Sequence, residues 1–181
     1  MKFKKSPRKG NLIVELEPGN TRLVNQINGP ITALKELLVP VDFSNCSKYA
    51  LRYALAFAGQ FDANVTLVSV VPDDSTSFEY ASTEYADIVE ARQKRYADEL
   101  KKLAESLGKV KCQTLVRVGK PFQEIVIAVR ELDSDLILIS THGQMSMPKA
   151  ELGSTAERVV RHAPCPVLVV RQKERAFAPP V

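Results

Sequence analysis

The chain has 181 residues, of which 45% are hydrophobic and 25% are charged, a composition typical of a water-soluble globular protein. No stretch approaches the roughly 20 apolar residues that cross a bilayer, so we do not expect an integral membrane protein. Residues 1–34, with six basic and two acidic side chains, account for the whole net charge of +4, which leaves 35–181 neutral. The charge therefore gives no reason to expect a nucleic-acid-binding face on the main domain.

Residues 1–34 are predicted to form a basic extension. The apolar alternation over 12–17, the Pro18-Gly19-Asn20 turn and the segment 21–24 predict a β-hairpin, and the first ten residues are expected to be mobile. The basic start lacks the apolar core of a secretory signal. The three cysteines are widely spaced and form no CxxC pair, which favours a reduced, cytoplasmic protein.

From residue 35 to 173, short apolar runs alternate with amphipathic stretches. The runs predict five strands, over Glu36–Val41, Val65–Val71, Lys111–Val118, Asp135–Ser140 and Pro166–Arg171. The amphipathic stretches predict four helices, over Ser44–Gln60, a long segment ending near Gly108, a segment opened by Pro121, and Ser154–His162. Strands separated by helices indicate a parallel sheet. The fold class is therefore α/β, an open five-stranded parallel sheet with helices on both faces, followed by a tail over 174–181.

Asp42 follows the first predicted strand, at the carboxyl edge of the sheet, where ligands of such folds bind. A carboxylate at this position can hydrogen-bond a ribose hydroxyl or help to hold a cation. Ser44, two residues further on, is expected to cap the next helix. Position alone leaves a structural and a ligand-binding role open for Asp42.

A second unusual loop follows the fourth predicted strand. It reads Ser140-Thr-His-Gly143, then nine residues, then Gly153-Ser-Thr155 at a helix start. Glycines let backbone amides approach an anion, and a helix N-terminus adds unpaired N–H groups. Ser154 and Thr155 add hydroxyl donors. The pattern is typical of a phosphate cradle, although a plain turn and helix cap use the same residues, and no Walker A loop is present.

Residues 35–173 resemble the universal stress protein family over the whole predicted domain. The segments that carry this resemblance are Leu38–Ser44, Val116–Pro121, Asp135–Gly143 and Gly153–Val170, the last of which is highly specific in order and spacing. The resemblance implies a Rossmann-like sheet with the strand order 3-2-1-4-5. It also implies a homodimer that often pairs through the last strand.

The family branch that binds ATP carries the motif G-x2-G-x9-G-[ST]. Gly143, Gly153 and Ser154 match this motif, whereas Ser140 stands at its first glycine position. Serine is the mildest replacement for glycine in size, so ATP binding is expected to survive, with some loss of affinity.

The resemblance also implies a role for each matching residue. Asp42 would meet the ribose, Pro40 and Val41 would line the adenine pocket, and the backbone of Val65 would hydrogen-bond the adenine edge. The phosphates would be held by Gly143, Gly153 and Ser154.

Two further features of the implied phosphate site are less specific. His142 lies beside the cradle and could touch a phosphate, but no nucleophile is visibly paired with it. A divalent cation, Mg²⁺ or Mn²⁺, would accompany the phosphates, although the sequence shows no cluster of protein ligands for one.

We therefore expect a cytoplasmic stress-response regulator that binds ATP between strands one and four and signals to a protein partner. Hydrolysis would be slow or absent, because no dedicated base or positioned arginine is visible. Two alternatives stay open. One is a nucleotide-free family member that acts through protein contacts, which Ser140 supports. The other is an adenylyl- or phosphotransferase, for which we find no catalytic residues.

Overall fold

The computed structural model describes residues 2–5, 12–15, 34–73, 83–108, 110–143 and 152–171. It divides the chain into two units, Met1–Ala33 and Leu34–Val181. Within the described ranges, no helix is long and apolar enough to cross a membrane.

The first unit contains two short strands, β1 (Lys2–Lys5) and β2 (Leu12–Glu15), which pair antiparallel with Lys2 opposite Glu15. The sequence predicted a strand at β2 but paired it with 21–24, a segment that lies outside the described residues. The described partner of β2 is Lys2–Lys5, part of the segment that was expected to be mobile.

The second unit is built on a five-stranded sheet. Its strands are β3 (Glu36–Pro40), β4 (Asn64–Pro72), β5 (Cys112–Gly119), β6 (Leu136–Ser140) and β7 (Val167–Val170). Their order is β5-β4-β3-β6-β7 and every neighbouring pair is parallel. In the numbering of the five core strands this is 3-2-1-4-5, so the predicted fold class and strand order are confirmed.

Four helices connect the strands of this sheet. They are α1 (Asn45–Phe61), α2 (Thr83–Ser106), α3 (Pro121–Glu131) and α4 (Ser154–His162). The predicted boundaries hold to within one or two residues, because each apolar run ends at a turn or capping residue. Pro121 occupies the first turn of α3, where its missing N–H is not needed.

The sheet carries a hydrophobic core on each face. On one side Val39 packs into a cluster with Leu51 of α1 and Leu100 of α2. On the other side Leu38 packs into a cluster with Val129 of α3. These neighbouring strand residues point to opposite faces, which explains why β3 is a continuous apolar run.

The strand order changes direction at the central strand β3. The chain first adds β4 and β5 on one side of β3, and then β6 and β7 on the other side. It pairs with β4 on one side and with β6 on the other. Loops that leave β3 and β6 diverge at such a point and leave a crevice between them at the carboxyl ends of the strands. This crevice holds the site described next.

Candidate functional site

A cavity of about 570 Å³ lies at the carboxyl ends of β3, β4 and β6. Its volume falls in the range of small-molecule pockets. Residues from both loops and from the helices and strands around them contribute. They are Pro40, Val41, Asp42, Val68, Ser69, Val70, Pro72, Tyr96, Pro121, Ile125, Ile139, Ser140, Thr141, His142, Gly143, Leu152, Gly153, Ser154, Thr155, Ala156 and Glu157.

The wall of the cavity contains a group of apolar side chains near the ends of β3 and β4 and two hydroxyl groups at the start of α4. Val41, Val68 and Val70 belong to the apolar group, whereas Ser154 and Thr155 carry the hydroxyl groups. A ligand with a flat apolar ring at one end and hydrogen-bonding groups at the other matches this division.

Asp42 is held in a turn that its own carboxylate closes. Its Oδ1 accepts a hydrogen bond from the Ser44 backbone N–H at 3.1 Å and another from the Ser44 hydroxyl at 2.6 Å. Asp and Asn side chains commonly bond the backbone two residues on in this way. The turn fixes the direction of the carboxylate at the edge of the cavity.

Phe43, between these two residues, has a left-handed backbone with φ of 62°. A bulky residue adopts this conformation at a cost of about 1–2 kcal/mol. Its ring packs edge-on against Tyr96 of α2, with ring centroids 5.3 Å apart. Aromatic packing of this kind contributes about 0.5–1.5 kcal/mol, which offsets part of this cost. Tyr96 also lines the cavity.

The loop after β6 is tied down by a series of hydrogen bonds. The Thr141 N–H donates to the Val170 carbonyl of β7 at 3.0 Å, and the Thr141 carbonyl accepts from the Gly153 N–H at 2.7 Å. The Ser140 hydroxyl donates to the His142 carbonyl at 2.9 Å. The Nδ1 atom of His142 lies 2.9 Å from the Thr141 hydroxyl. These bonds join the loop to β7 and to the start of α4.

Gly143 brings the β6 loop against the β3 loop. A Cβ atom at this position would lie 2.6 Å from Oδ2 of Asp42, closer than side-chain atoms approach one another. A side chain at position 143 would therefore require the Asp42 carboxylate to move. The two segments that the sequence singled out, about 100 residues apart, form a single wall of the cavity.

The N-terminus of α4 faces the cavity through Ser154 and Thr155. Gly153 is the N-cap and has no side chain with which to satisfy the first N–H groups of the helix. Its own N–H is already bonded to Thr141. An anion at this end of the cavity would therefore meet the first-turn amides and hydroxyls of α4 rather than the Gly153 amide.

The charged side chains in the described wall of the cavity are two carboxylates, Asp42 and Glu157. Glu157 is partly neutralised by Arg161, one helical turn away at 2.9 Å. Lys and Arg are absent from the described lining residues. Across the described ranges, no group of three or more His, Cys, Asp or Glu side chains could hold a metal ion.

Two of the cysteines are poorly suited to thiol chemistry. Burial raises the pKa of the Cys112 thiol, and burial is also the main cause of the raised pKa of Cys165. Both thiols are therefore protonated at neutral pH. Neither residue lines the cavity.

Nine of the ten residues proposed from the sequence line the cavity, and Val65 does not. Val65 lies at the amino end of β4, opposite Leu37, and its N–H donates to the Lys111 carbonyl at 2.8 Å. The expected contact of its backbone with adenine is therefore corrected. Ligands of this fold bind at the carboxyl ends of strands, where β4 contributes Val68, Ser69 and Val70 instead.

Sequence reasoning missed further residues of the cavity wall. Val68 and Ile139 lie in apolar strands, where a wall residue and a core residue look alike. Tyr96 lies in a helix rich in charged residues, in which nothing marks it as part of a cavity wall. The left-handed turn at Phe43, whose ring packs against Tyr96, leaves no recognisable signal in the sequence.

An open parallel sheet with a cavity at the reversal of its strand order and a helix N-terminus facing it defines the doubly wound α/β class. The family model described as the universal stress protein family matches residues 33–171. The chain belongs to the universal stress protein family.

Individual relatives agree with this assignment. The universal stress protein MJ0531 of Methanocaldococcus jannaschii is 34% identical over 146 residues, which cover 78% of this chain and 84% of that protein. The structure of the universal stress protein UspA from Lactobacillus plantarum aligns with a TM-score of 0.70 at 27% identity, over 76% of this chain and 98% of that one. A universal stress protein solved in complex with cAMP has a TM-score of 0.56 at 20% identity, over 75% of this chain and 96% of that one.

Proposed function

We propose that this protein is a regulatory module that binds ATP, or a closely related adenine nucleotide, in the cavity at the carboxyl ends of β3, β4 and β6. The observation that carries the proposal is the close approach of Gly143 to the Asp42 turn. It joins a carboxylate suited to a ribose with a loop and helix N-terminus suited to phosphates. The cAMP complex of a protein with this fold is in keeping with the proposal.

The two sides of the cavity suit the two ends of a nucleotide. The purine ring would lie against Val41, Val68 and Val70, which offer apolar surface, while Pro40 borders the same wall. The Asp42 carboxylate would accept from the ribose hydroxyls. The phosphates would lie at the first turn of α4, where Ser154 and Thr155 donate and the helix dipole favours negative charge.

The charge of the cavity wall implies a cation. Triphosphate groups carry several negative charges, and the described wall adds the carboxylates Asp42 and Glu157 without a Lys or Arg to balance them. A divalent ion such as Mg²⁺ or Mn²⁺, bound to the phosphates, would relieve this repulsion. We therefore expect ATP to bind more tightly with Mg²⁺ than in the presence of EDTA.

We further infer that the protein works in the cytoplasm as a homodimer paired through β7, signals nucleotide occupancy to another protein, and hydrolyses ATP slowly or not at all. Phosphoryl transfer generally relies on a positioned base and on Lys, Arg or metal-binding side chains around the phosphates. The described wall of the cavity presents His142 near the phosphate end but no Lys or Arg. These features favour binding over turnover.

The first experiment is to purify the protein without added nucleotide, denature it, and identify any released nucleotide by chromatography. Calorimetric titration of the stripped protein with Mg-ATP then gives the affinity. Released or titratable ATP is the expected result. A folded protein that releases nothing and shows no heat would contradict the proposal and favour a family member that acts through protein contacts alone.

A single substitution tests whether binding occurs in this cavity. Gly153→Glu keeps an allowed backbone, since φ of Gly153 is −69°, and puts a bulky anion where the phosphates are expected. We expect ATP binding to be abolished. The matched control is Gly59→Glu, which adds the same side chain on the exposed face of α1, where a Cβ meets nothing within 4 Å. Equal ATP affinity in the two variants would place the nucleotide elsewhere.

A further inference from the structure

We propose that the Ser140 hydroxyl is a brace that preorganises the phosphate-binding loop, so that serine at this position strengthens nucleotide binding instead of weakening it. This inference rests on the proposed function. It reverses the expectation drawn from the sequence, in which a serine at the first glycine of the motif was an intrusion that costs affinity.

The first observation is the hydrogen bond that Ser140 makes. The residue is 8% exposed, and its hydroxyl donates to the His142 carbonyl at 2.9 Å. The hydroxyl therefore has a partner inside its own loop. A glycine at this position could not make the bond.

The second step follows from the planarity of the peptide group. The His142 carbonyl and the Gly143 N–H belong to one rigid unit and point in opposite directions. A hydrogen bond that fixes the carbonyl also fixes the direction of the Gly143 N–H and the position of its Cα. Ser140 therefore acts on Gly143 through the peptide that joins it to His142.

The third step concerns how little room Gly143 has. Its backbone lies so close to Asp42 that a Cβ would come within 2.6 Å of Oδ2. Asp42 itself is held from within its own loop, by the two hydrogen bonds from Ser44 to Oδ1. Loss of the Ser140 brace would consequently loosen the peptide between His142 and Gly143, while the bonds of Thr141 to Val170 and Gly153 and those of Ser44 to the carboxylate remain.

The brace should affect the affinities for ATP and for adenosine differently. The loop faces the phosphate end of the cavity, whereas Asp42 and the apolar wall face the nucleoside end. If the loop is looser in the free protein, the ligand must order it on binding. This ordering costs free energy and lowers the affinity. The loss should therefore fall on ATP and spare adenosine.

The experiment compares Ser140→Ala and Ser140→Gly with the wild-type protein by calorimetry, using Mg-ATP and adenosine as the two ligands. We expect ATP affinity to fall about three- to tenfold in both variants, the range of one ordinary hydrogen bond. Adenosine affinity should change less than about twofold. Ser140→Gly restores the glycine of the family motif. A loss of ATP affinity in this variant would therefore distinguish the brace most clearly from the expectation drawn from the sequence.

Ser134→Ala is the matched control. Ser134 is buried to the same extent, at 7% exposure, but lies just before β6, at the end away from the cavity. Ser134→Ala should leave both affinities unchanged. If the Ser140 variants acted only through a general loss of packing, Ser134→Ala would lower the temperature of thermal unfolding by a similar amount. Unchanged or tighter ATP binding in Ser140→Gly, or equal losses for ATP and adenosine, would overturn the brace.

If the wild-type protein binds neither ligand, the proposed function has failed. The brace is then tested by hydrogen exchange of the Gly143 amide, which should be faster in Ser140→Ala than in the wild-type protein.

Discussion

Gly143 shows how a single missing side chain joins two distant loops. Its backbone packs against the Asp42 carboxylate, which Ser44 restrains through two hydrogen bonds. The carboxylate cannot simply rotate away from an added methyl group, because it would give up these bonds. Glycine at position 143 therefore matters because it leaves space for the Asp42 carboxylate, and this reason does not depend on the backbone conformation of Gly143.

Gly143→Ala is accordingly expected to lower the free energy of unfolding by about 1–3 kcal/mol, the usual cost of overpacking, and to reduce ATP affinity by separating the loops. Urea denaturation and calorimetry measure the two effects. Gly59→Ala is the control, since its Cβ meets no atom within 4 Å. That substitution should raise helix stability by about 0.5–1 kcal/mol and leave ATP affinity alone. A Gly143→Ala protein with native stability would mean that Asp42 moves without cost.

At the scale of one element, one hydroxyl group, that of Ser44, both caps the start of α1 and bonds to Asp42 at the edge of the cavity. Ser44 accepts from the Ser47 N–H at 3.2 Å, which caps the helix, and donates to Asp42 at 2.6 Å. The same oxygen thus begins a helix and orients the carboxylate at the cavity edge. The predicted capping role of Ser44 is confirmed.

Ser44→Ala should therefore lower the free energy of unfolding by about 1 kcal/mol through the lost cap, and also weaken ATP binding, since Asp42 loses the hydroxyl that orients it. Ser44→Thr keeps the hydroxyl and should stay within a few tenths of a kcal/mol of wild type. Urea denaturation followed by circular dichroism distinguishes the variants. Equal stability of the alanine and threonine proteins would contradict the capping role.

At the scale of the whole molecule, β7 offers an edge for pairing. The carbonyls of Pro166 and Val170 accept from the neighbouring Ile137 and Thr141 amides. Because alternate residues of a parallel strand bond to opposite sides, Val169 presents its N–H and carbonyl to the outer edge. This edge is where the proposed homodimer would pair.

Val169→Pro removes the outward N–H while leaving the bonds to β6. We expect it to convert a dimer to a monomer in sedimentation velocity, with little change in thermal stability of the fold. Val169→Ala trims the same side chain but keeps the N–H, and should remain dimeric. A wild-type protein that sediments as a monomer, or a proline variant that stays dimeric, would rule out pairing through this edge.

The sheet was predictable from the sequence because apolar runs and capping residues mark its parts locally. The strand order, by contrast, came from family resemblance, since nothing in β3 alone specifies β6 as its neighbour. The same distinction applies to the site. Gly143 and Gly153 were found because glycine spacing is visible in a sequence, whereas Tyr96 lines the cavity from a distant helix that packs on Phe43, a contact that neither segment reveals by itself. Val65 was misplaced because the strand was identified correctly but the end of it that borders the cavity was not.

The close approach of Asp42 and Gly143 also has a consequence for folding kinetics. Interactions between segments so far apart in sequence form late, after much of the chain entropy has been lost. During synthesis, a nascent chain that has already exposed β3 and β4 still has no cavity until β6 and β7 emerge. A nucleotide therefore cannot guide the early steps of folding. The proposed nucleotide would act on the finished domain, and would stabilise it to the extent that it binds the native state and not the unfolded chain.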